Sequence, residues 1–247
     1  MVRRARALTV ALAGVGVVSA ILYSGVSQAP AAAATRNTSK PRIGRSASPP
    51  RRPAENPAFV ALPAIEVASV NSRRAEKLRL YDAWGQIDEG AARKLDSLLA
   101  DTHDPEQIET TRIDRRTIQL MFRAAYHFAS AKIEIVSGYR KPGRRSQGYH
   151  GKGQAIDFRL DGVSAAALAS YLRTLPRVGV GIYTHPKTQF VHLDSRVRSF
   201  HWIDASPPGR SWRERSLGGR SLGTRDAVYT RALDWPEGVT PQVPFDP

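Results

Sequence analysis

The sequence predicts an α+β domain, and three observations carry that expectation. Two stretches of helical apolar period come first, between residues 88 and 130. From residue 131 the period changes to two, in several short alternating runs. One further helical stretch interrupts those runs. The expected architecture is a small antiparallel sheet with helices packed on one face.

The first helix spans residues 88–100 (DEGAARKLDSLLA), with Asp88 as its cap and Leu95, Leu98 and Leu99 on one face. The second spans residues 114–130 (DRRTIQLMFRAAYHFAS), capped by Asp114, with Ile118, Met121, Phe122 and Ala125 as its apolar stripe. A strand follows in AKIEIVSGYR and ends at the Ser137-Gly138 turn. In QAIDFRL, Ile156, Phe158 and Leu160 point one way while Ala155, Asp157 and Arg159 point the other. Ser164 caps a helix in SAAALASYLRTL, and VGVGIY and TQFVHLDSRV give two more strands.

The flanks read differently. Residues 1–34 begin with Arg3, Arg4 and Arg6 and continue into an apolar run over residues 7–23, with small residues at 29–34. That is the layout of a secretory signal peptide, with a short N-terminal membrane anchor as the alternative. Residues 35–64 carry many Pro, Ser and Arg without periodicity and read as a disordered basic linker. The folded domain is expected at 65–204, and residues 205–247, rich in Pro, Gly and Arg, as an irregular extension that wraps or trails.

Composition narrows the chemistry. A chain of 247 residues without cysteine has no disulfide, thiolate metal site or cysteine nucleophile, so a transition metal must be held by imidazole and carboxylate. The formal charge is +15, but residues 1–56 hold nine Lys/Arg against one acid, so +8 of it lies outside the expected core. Such a tail suits contact with an anionic membrane or wall polymer. Nucleic acid is not expected as a partner, because no folded face interleaves basic and aromatic residues.

The stretch SGYRKPGRRSQGYHGKGQAIDFRL, residues 137–160, sets His150 and Asp157 in a glycine-rich frame. It is either a polar turn or part of a metal site. In FVHLD, strand alternation puts Phe190, His192 and Asp194 on one face. If the two strands are neighbours, His192 and Asp157 converge and His150 can fold over them. Two imidazoles and a carboxylate with one position left for water is the ligand set of hydrolytic zinc. The other histidines fit ordinary roles: His127 in packing or at the surface, His103 and His201 in loops or at the surface, and His185 in a turn between strands, with the rim of the cleft as its alternative.

The ordered set SGYR, HGKGQAID and FVHLD resembles the M15-type zinc peptidases, the D-Ala-D-Ala carboxypeptidase superfamily that shares its fold with the hedgehog signalling domain. It is most similar to an envelope-associated branch of unknown function, over about residues 76–200. The resemblance implies Zn2+ held by His150, Asp157 and His192, and Arg140 in contact with a substrate carbonyl or carboxylate. It implies an exported peptidase of periplasm or cell envelope, cutting peptidoglycan peptides next to a D-amino acid. The pattern departs in a short connection from Arg140 to His150, in Gly148 where serine is common, and in Gln189 where better-studied members carry a glutamate base. Asp194 is the residue expected to replace that base, with hydrogen bonding to a zinc-bound histidine as its other reading. Gln189 also favours a rival function, a non-catalytic zinc-containing wall-binding module.

Overall fold

The computed structural model describes residues 54–100, 110–141, 148–210, 212, 214–219, 221–239 and 241. The expected signal or anchor segment, most of the basic linker and His103 lie outside them. Among the described residues, no helix is long and apolar enough to cross a membrane.

Helix α1 (Pro57–Val60) precedes strands β1 (Ile65–Ser69) and β2 (Ala75–Leu78). Helices α2 (Glu89–Leu99) and α3 (Arg115–His127) then lead to β3 (Lys132–Ser137). A single 3-10 turn (His150–Lys152) opens into β4 (Ala155–Leu160). Helix α4 (Ala165–Leu172) and strands β5 (Val178–Tyr183), β6 (Val191–Ser195), β7 (Phe200–Asp204) and β8 (Glu214–Leu217) follow, then α5 (Ser221–Ala227) and a 3-10 turn (Arg231–Asp234). The caps fall where the sequence puts them: Asp88 accepts from Ala91 N, Asp114 from Thr117 N and Ser164 from Ala167 N, each satisfying an otherwise orphaned first-turn amide.

The α+β class holds, but the expected small antiparallel sheet does not. Among the described residues, eight strands form one mixed sheet, in the order β2-β1-β3-β4-β6-β5-β7-β8. Pairs β1–β3 and β5–β7 are parallel, because a helix-bearing connection and a strand-skipping one return the chain in the same direction. β1, β2, β7 and β8 enlarge the sheet; their alternation is too short or too polar to stand out in the sequence.

The sheet's inner face presents Ile65, Val67, Ile133, Ile135, Ile156, Phe158, Val180, Ile182, Val191 and Leu193, all buried against α2, α3 and α4. Its other face carries the polar residues of β4 and β6. Start-of-domain burial extends further back than Ile65. Phe59, on α1 within the expected linker, is 1% exposed and lies 5.3 Å from the Tyr81 ring. Gly85 makes room for it, since a Cβ there would sit 2.3 Å from the Phe59 ring. The extension after residue 204 wraps. Asp234 takes the Arg116 guanidinium at 3.0 Å, and the buried Trp235 donates to Gly85 O at 3.2 Å.

The start of α3 is tied to the polar face from two sides. Asp114 Oδ1 accepts from Ser195 Oγ at 2.7 Å, at the end of β6, and Asp114 N donates to Gly153 O at 2.8 Å, beside the His150 turn. Gly153 has φ 69°, and a Cβ on it would lie 2.4 Å from Arg112 O. The rigid helix thus fixes both elements that carry histidines.

Candidate metal centre

Strand register assembles the centre. Asp157 on β4 is the direct antiparallel partner of His192 on β6, so their side chains leave the sheet side by side. His150 swings over them on its 3-10 turn. His150 Nε2 lies 3.1 Å from His192 Nδ1 and 3.3 Å from Asp157 Oδ1, and His192 Nδ1 lies 2.8 Å from the same oxygen. The three residues are 5%, 2% and 7% exposed in the order 150, 157, 192.

Each ligand atom is aimed by an outer partner. His150 Nδ1 donates to Gly138 O at 2.6 Å, which leaves Nε2 facing inward. His192 Nε2 donates to Asp194 Oδ2 at 3.0 Å, which leaves Nδ1 facing inward. Asp157 Oδ2 accepts from Arg140 Nη2, whose Nε is held by Ser137 Oγ at 2.8 Å. Two imidazoles and a carboxylate, each oriented by a second hydrogen bond, fit a divalent metal of zinc's preferences.

The electrostatics agree. Burial would raise the Asp157 pKa, yet His150 and His192 hold the carboxyl well below its usual range. Burial likewise opposes charge on His192, but the flanking Asp157 and Asp194 push its pKa up to about 9. Asp194 resists protonation despite burial, because Arg196 and His192 both stabilise its anion. Asp157 and Asp194 thus stay ionised on either side of the His192 ring.

The other expected residues fall as follows. Asp194 is fully buried, and besides His192 it takes Arg196 with both oxygens. Gln189 is exposed in the turn before β6, with φ 41°, and its carbonyl accepts from Arg159 Nε. His185 lies in that same turn, where its Nδ1 accepts from Lys187 N. His127 stacks on Tyr171 at 3.8 Å and pairs with Glu237. His201 is a correction: it is no surface residue but sits on β7, 5% exposed, its Nε2 unpartnered.

Sequence reading missed the frame around the ligands. The Trp202 ring lies 4.9 Å from that of His192 and rests on Gly181, where a Cβ would come within 2.3 Å of it. A Cβ on Gly179 would meet Asp194 Oδ2 at 2.1 Å. The signal was present in VGVGIY, whose two glycines share one face of a strand, the face beside His192 and Asp194.

A family model described as peptidoglycan L,D-endopeptidase MepK matches residues 63–202. The chain is 32% identical over 116 residues to the probable peptidoglycan L,D-endopeptidase MepK of Haemophilus influenzae, covering 42% of this chain and 60% of that protein. It is 28% identical over 163 residues to the peptidoglycan L,D-endopeptidase MepK of Escherichia coli, covering 59% and 86%. The chain thus spans less than two thirds of the Haemophilus protein's length and most of the Escherichia one. No solved structure matches. With the matched region enclosing Arg140, His150, Asp157 and His192 alike, the chain belongs to the M15-type peptidase family described as peptidoglycan L,D-endopeptidase MepK.

Proposed function

We propose that this protein is an exported, zinc-dependent peptidase that hydrolyses peptidoglycan peptides at a bond beside a D-amino acid. The observation that carries the reading is the convergence of His150 Nε2, Asp157 Oδ1 and His192 Nδ1 to within 3.3 Å of one another in a chain of this family. The names of its relatives favour a bond between an L- and a D-centre. The hedgehog-like zinc fold is part of the same proposal, supported by Asp157 and His192 on neighbouring strands with His150 on the turn that precedes the first of them.

What a bound zinc ion supplies is Lewis acidity toward the scissile carbonyl and the attacking water. The chain's residues do the rest. His150, Asp157 and His192 bind, and Gly138 O and Asp194 keep the two rings turned inward. Arg140 holds Asp157 with Nη2 and is 42% exposed, so part of its five-donor guanidinium faces the substrate side, where it orients a carbonyl or carboxylate. Full burial and the two-oxygen pair with Arg196 support Asp194 as the orienting partner of His192 rather than the base. Residues 1–34 fit export or anchoring through residues 7–23, and the basic segment after them fits contact with anionic membrane or wall polymer.

A second reading, a zinc-containing module that binds wall without cutting it, is favoured by Gln189, which does not titrate. Incubating the full chain with purified sacculi and identifying soluble products by mass spectrometry, with and without a chelator, separates the two. Chelator-sensitive release of peptides with a newly freed terminus is expected. Retention on sacculi without any release would establish the binding module instead.

A further inference from the structure

We propose that Arg196 is a positioning residue for the metal centre, acting through Asp194 on the ring of His192. The inference rests on reading the cluster as a metal site and extends it one layer outward. Arg196 Nε donates to Asp194 Oδ1 at 2.6 Å, and Nη2 donates to Oδ2, the oxygen that also takes His192 Nε2 at 3.0 Å. The relay runs from guanidinium to carboxylate to imidazole, ending at the inward Nδ1.

Three further features hold the guanidinium in place. Its side chain is 13% exposed, it lies 4.4 Å from the Tyr149 ring and it lies 5.6 Å from that of Phe200. Planar contact on aromatic faces and a two-point fork onto a carboxylate are what arginine offers and lysine does not. Arg196 N is fixed to Arg177 O at 3.1 Å, and beneath the pair Gly179 leaves no room for a Cβ, which would lie 2.3 Å from Nη2. The fork holds both carboxylate oxygens and so fixes the direction from which Oδ2 meets His192 Nε2. His192 then has one ring orientation. An outer partner of a metal-ligating histidine contributes about 10–100-fold to metal affinity, which sets the scale of the effect.

A merely structural arginine would neutralise Asp194 without influencing the metal, so the test reads the metal. Zinc affinity of the full chain is measured by competition with a chromophoric chelator, and ligand geometry by the absorption spectrum of the cobalt(II) form. Four proteins are compared: wild type, Arg196→Met, Asp194→Ala and the double variant, with near-ultraviolet circular dichroism of each chelated protein as the folding check. Arg196→Met is expected to weaken zinc by about 10–100-fold and to change the cobalt spectrum. In the Asp194→Ala background the same change should cost nothing further, because its route to His192 is already cut. Should Arg196→Met leave Asp194 as an unpaired buried charge and fail to fold, Arg196→Lys replaces it in the comparison. The double variant buries no charge at this pair in any case. Equal losses in both backgrounds, or no effect of Arg196→Met on affinity and spectrum in either, would overturn the proposal. A wild-type protein that binds neither metal would overturn the metal-site reading beneath it, a result distinct from the other two.

Discussion

His192 stands between two carboxylates, with Nδ1 2.8 Å from Asp157 Oδ1 and Nε2 3.0 Å from Asp194 Oδ2. One carboxylate shares the metal side of the ring and the other holds its back. Asparagine at 194 keeps an acceptor for Nε2–H but has no basicity. Asp194→Asn is therefore expected to keep zinc and to hydrolyse within about tenfold of wild type, whereas Asp194→Ala should bind zinc about 10–100-fold more weakly. A 10²–10⁴-fold rate loss in Asp194→Asn with zinc retained would instead mark a general base. Steady-state hydrolysis of a cross-linked muropeptide, with zinc content measured on the same sample, reads both.

Gly181 gives a second expectation. A methyl group there meets the Trp202 ring at 2.3 Å, and both the ring and the neighbouring His192 would have to shift. Gly181→Ala should destabilise by about 1–3 kcal/mol, measured as a lower denaturant midpoint, and should weaken zinc in parallel. Unchanged stability and affinity would mean that Trp202 gives way at no cost to the ligand.

Alternation in the sequence showed which residues of the candidate site share a face, but only half of the sheet's strands. His150, Asp157 and His192 were legible because alternation in QAIDFRL and FVHLD fixes which side chains share a face, and register then makes Asp157 and His192 partners. The mixed sheet was not legible. β8 is a four-residue strand of mostly exposed residues, and β2 is nearly as polar, so neither shows an apolar period. Parallel pairing of β5 with β7 is set by tertiary packing, which local pattern does not encode. His201 was misplaced for a related reason. The segment before it, RVRSF, is basic and reads as surface, yet its last residue, Phe200, already pairs with Gly179 on β5 and the next, His201, is buried.

The domain's start makes a third prediction. Residues before 54 are expected to contribute little, so removing 1–53 should leave the unfolding midpoint unchanged. Removing 1–64 also takes away Phe59, whose loss from a packed site costs about 3–5 kcal/mol. Thermal unfolding of the two truncations, with Phe59→Ala in the full chain as reference, compares them. Equal midpoints for the two truncations would return this segment to the linker.

His201 predicts a pH dependence. Burial, with Arg173, Arg225 and Arg196 around it against one opposing carboxylate, Asp226, lowers its pKa from 6.5 to about 4. The unfolded chain takes up the proton near 6.5 while the folded one resists until about 4, so this residue's contribution is complete above 6.5 and is lost as pH falls toward 4. His192 does not mask this: its raised pKa makes its contribution constant below 6.5 and lost only toward 9. Stability measured between pH 6.5 and 4 should fall less steeply in His201→Leu than in wild type. Parallel slopes would show that His201 titrates normally in the folded protein.

The central claim is that one metal ion held by His150, Asp157 and His192 makes this chain a peptidase. Titrating zinc into the chelated full chain while following hydrolysis of a cross-linked muropeptide tests it most directly. Activity should rise linearly and saturate at about one equivalent per chain, as a three-ligand catalytic site requires, and His192→Ala should show neither tight binding nor turnover. Hydrolysis that proceeds in the chelated protein, or zinc bound at full occupancy by His192→Ala, would contradict it.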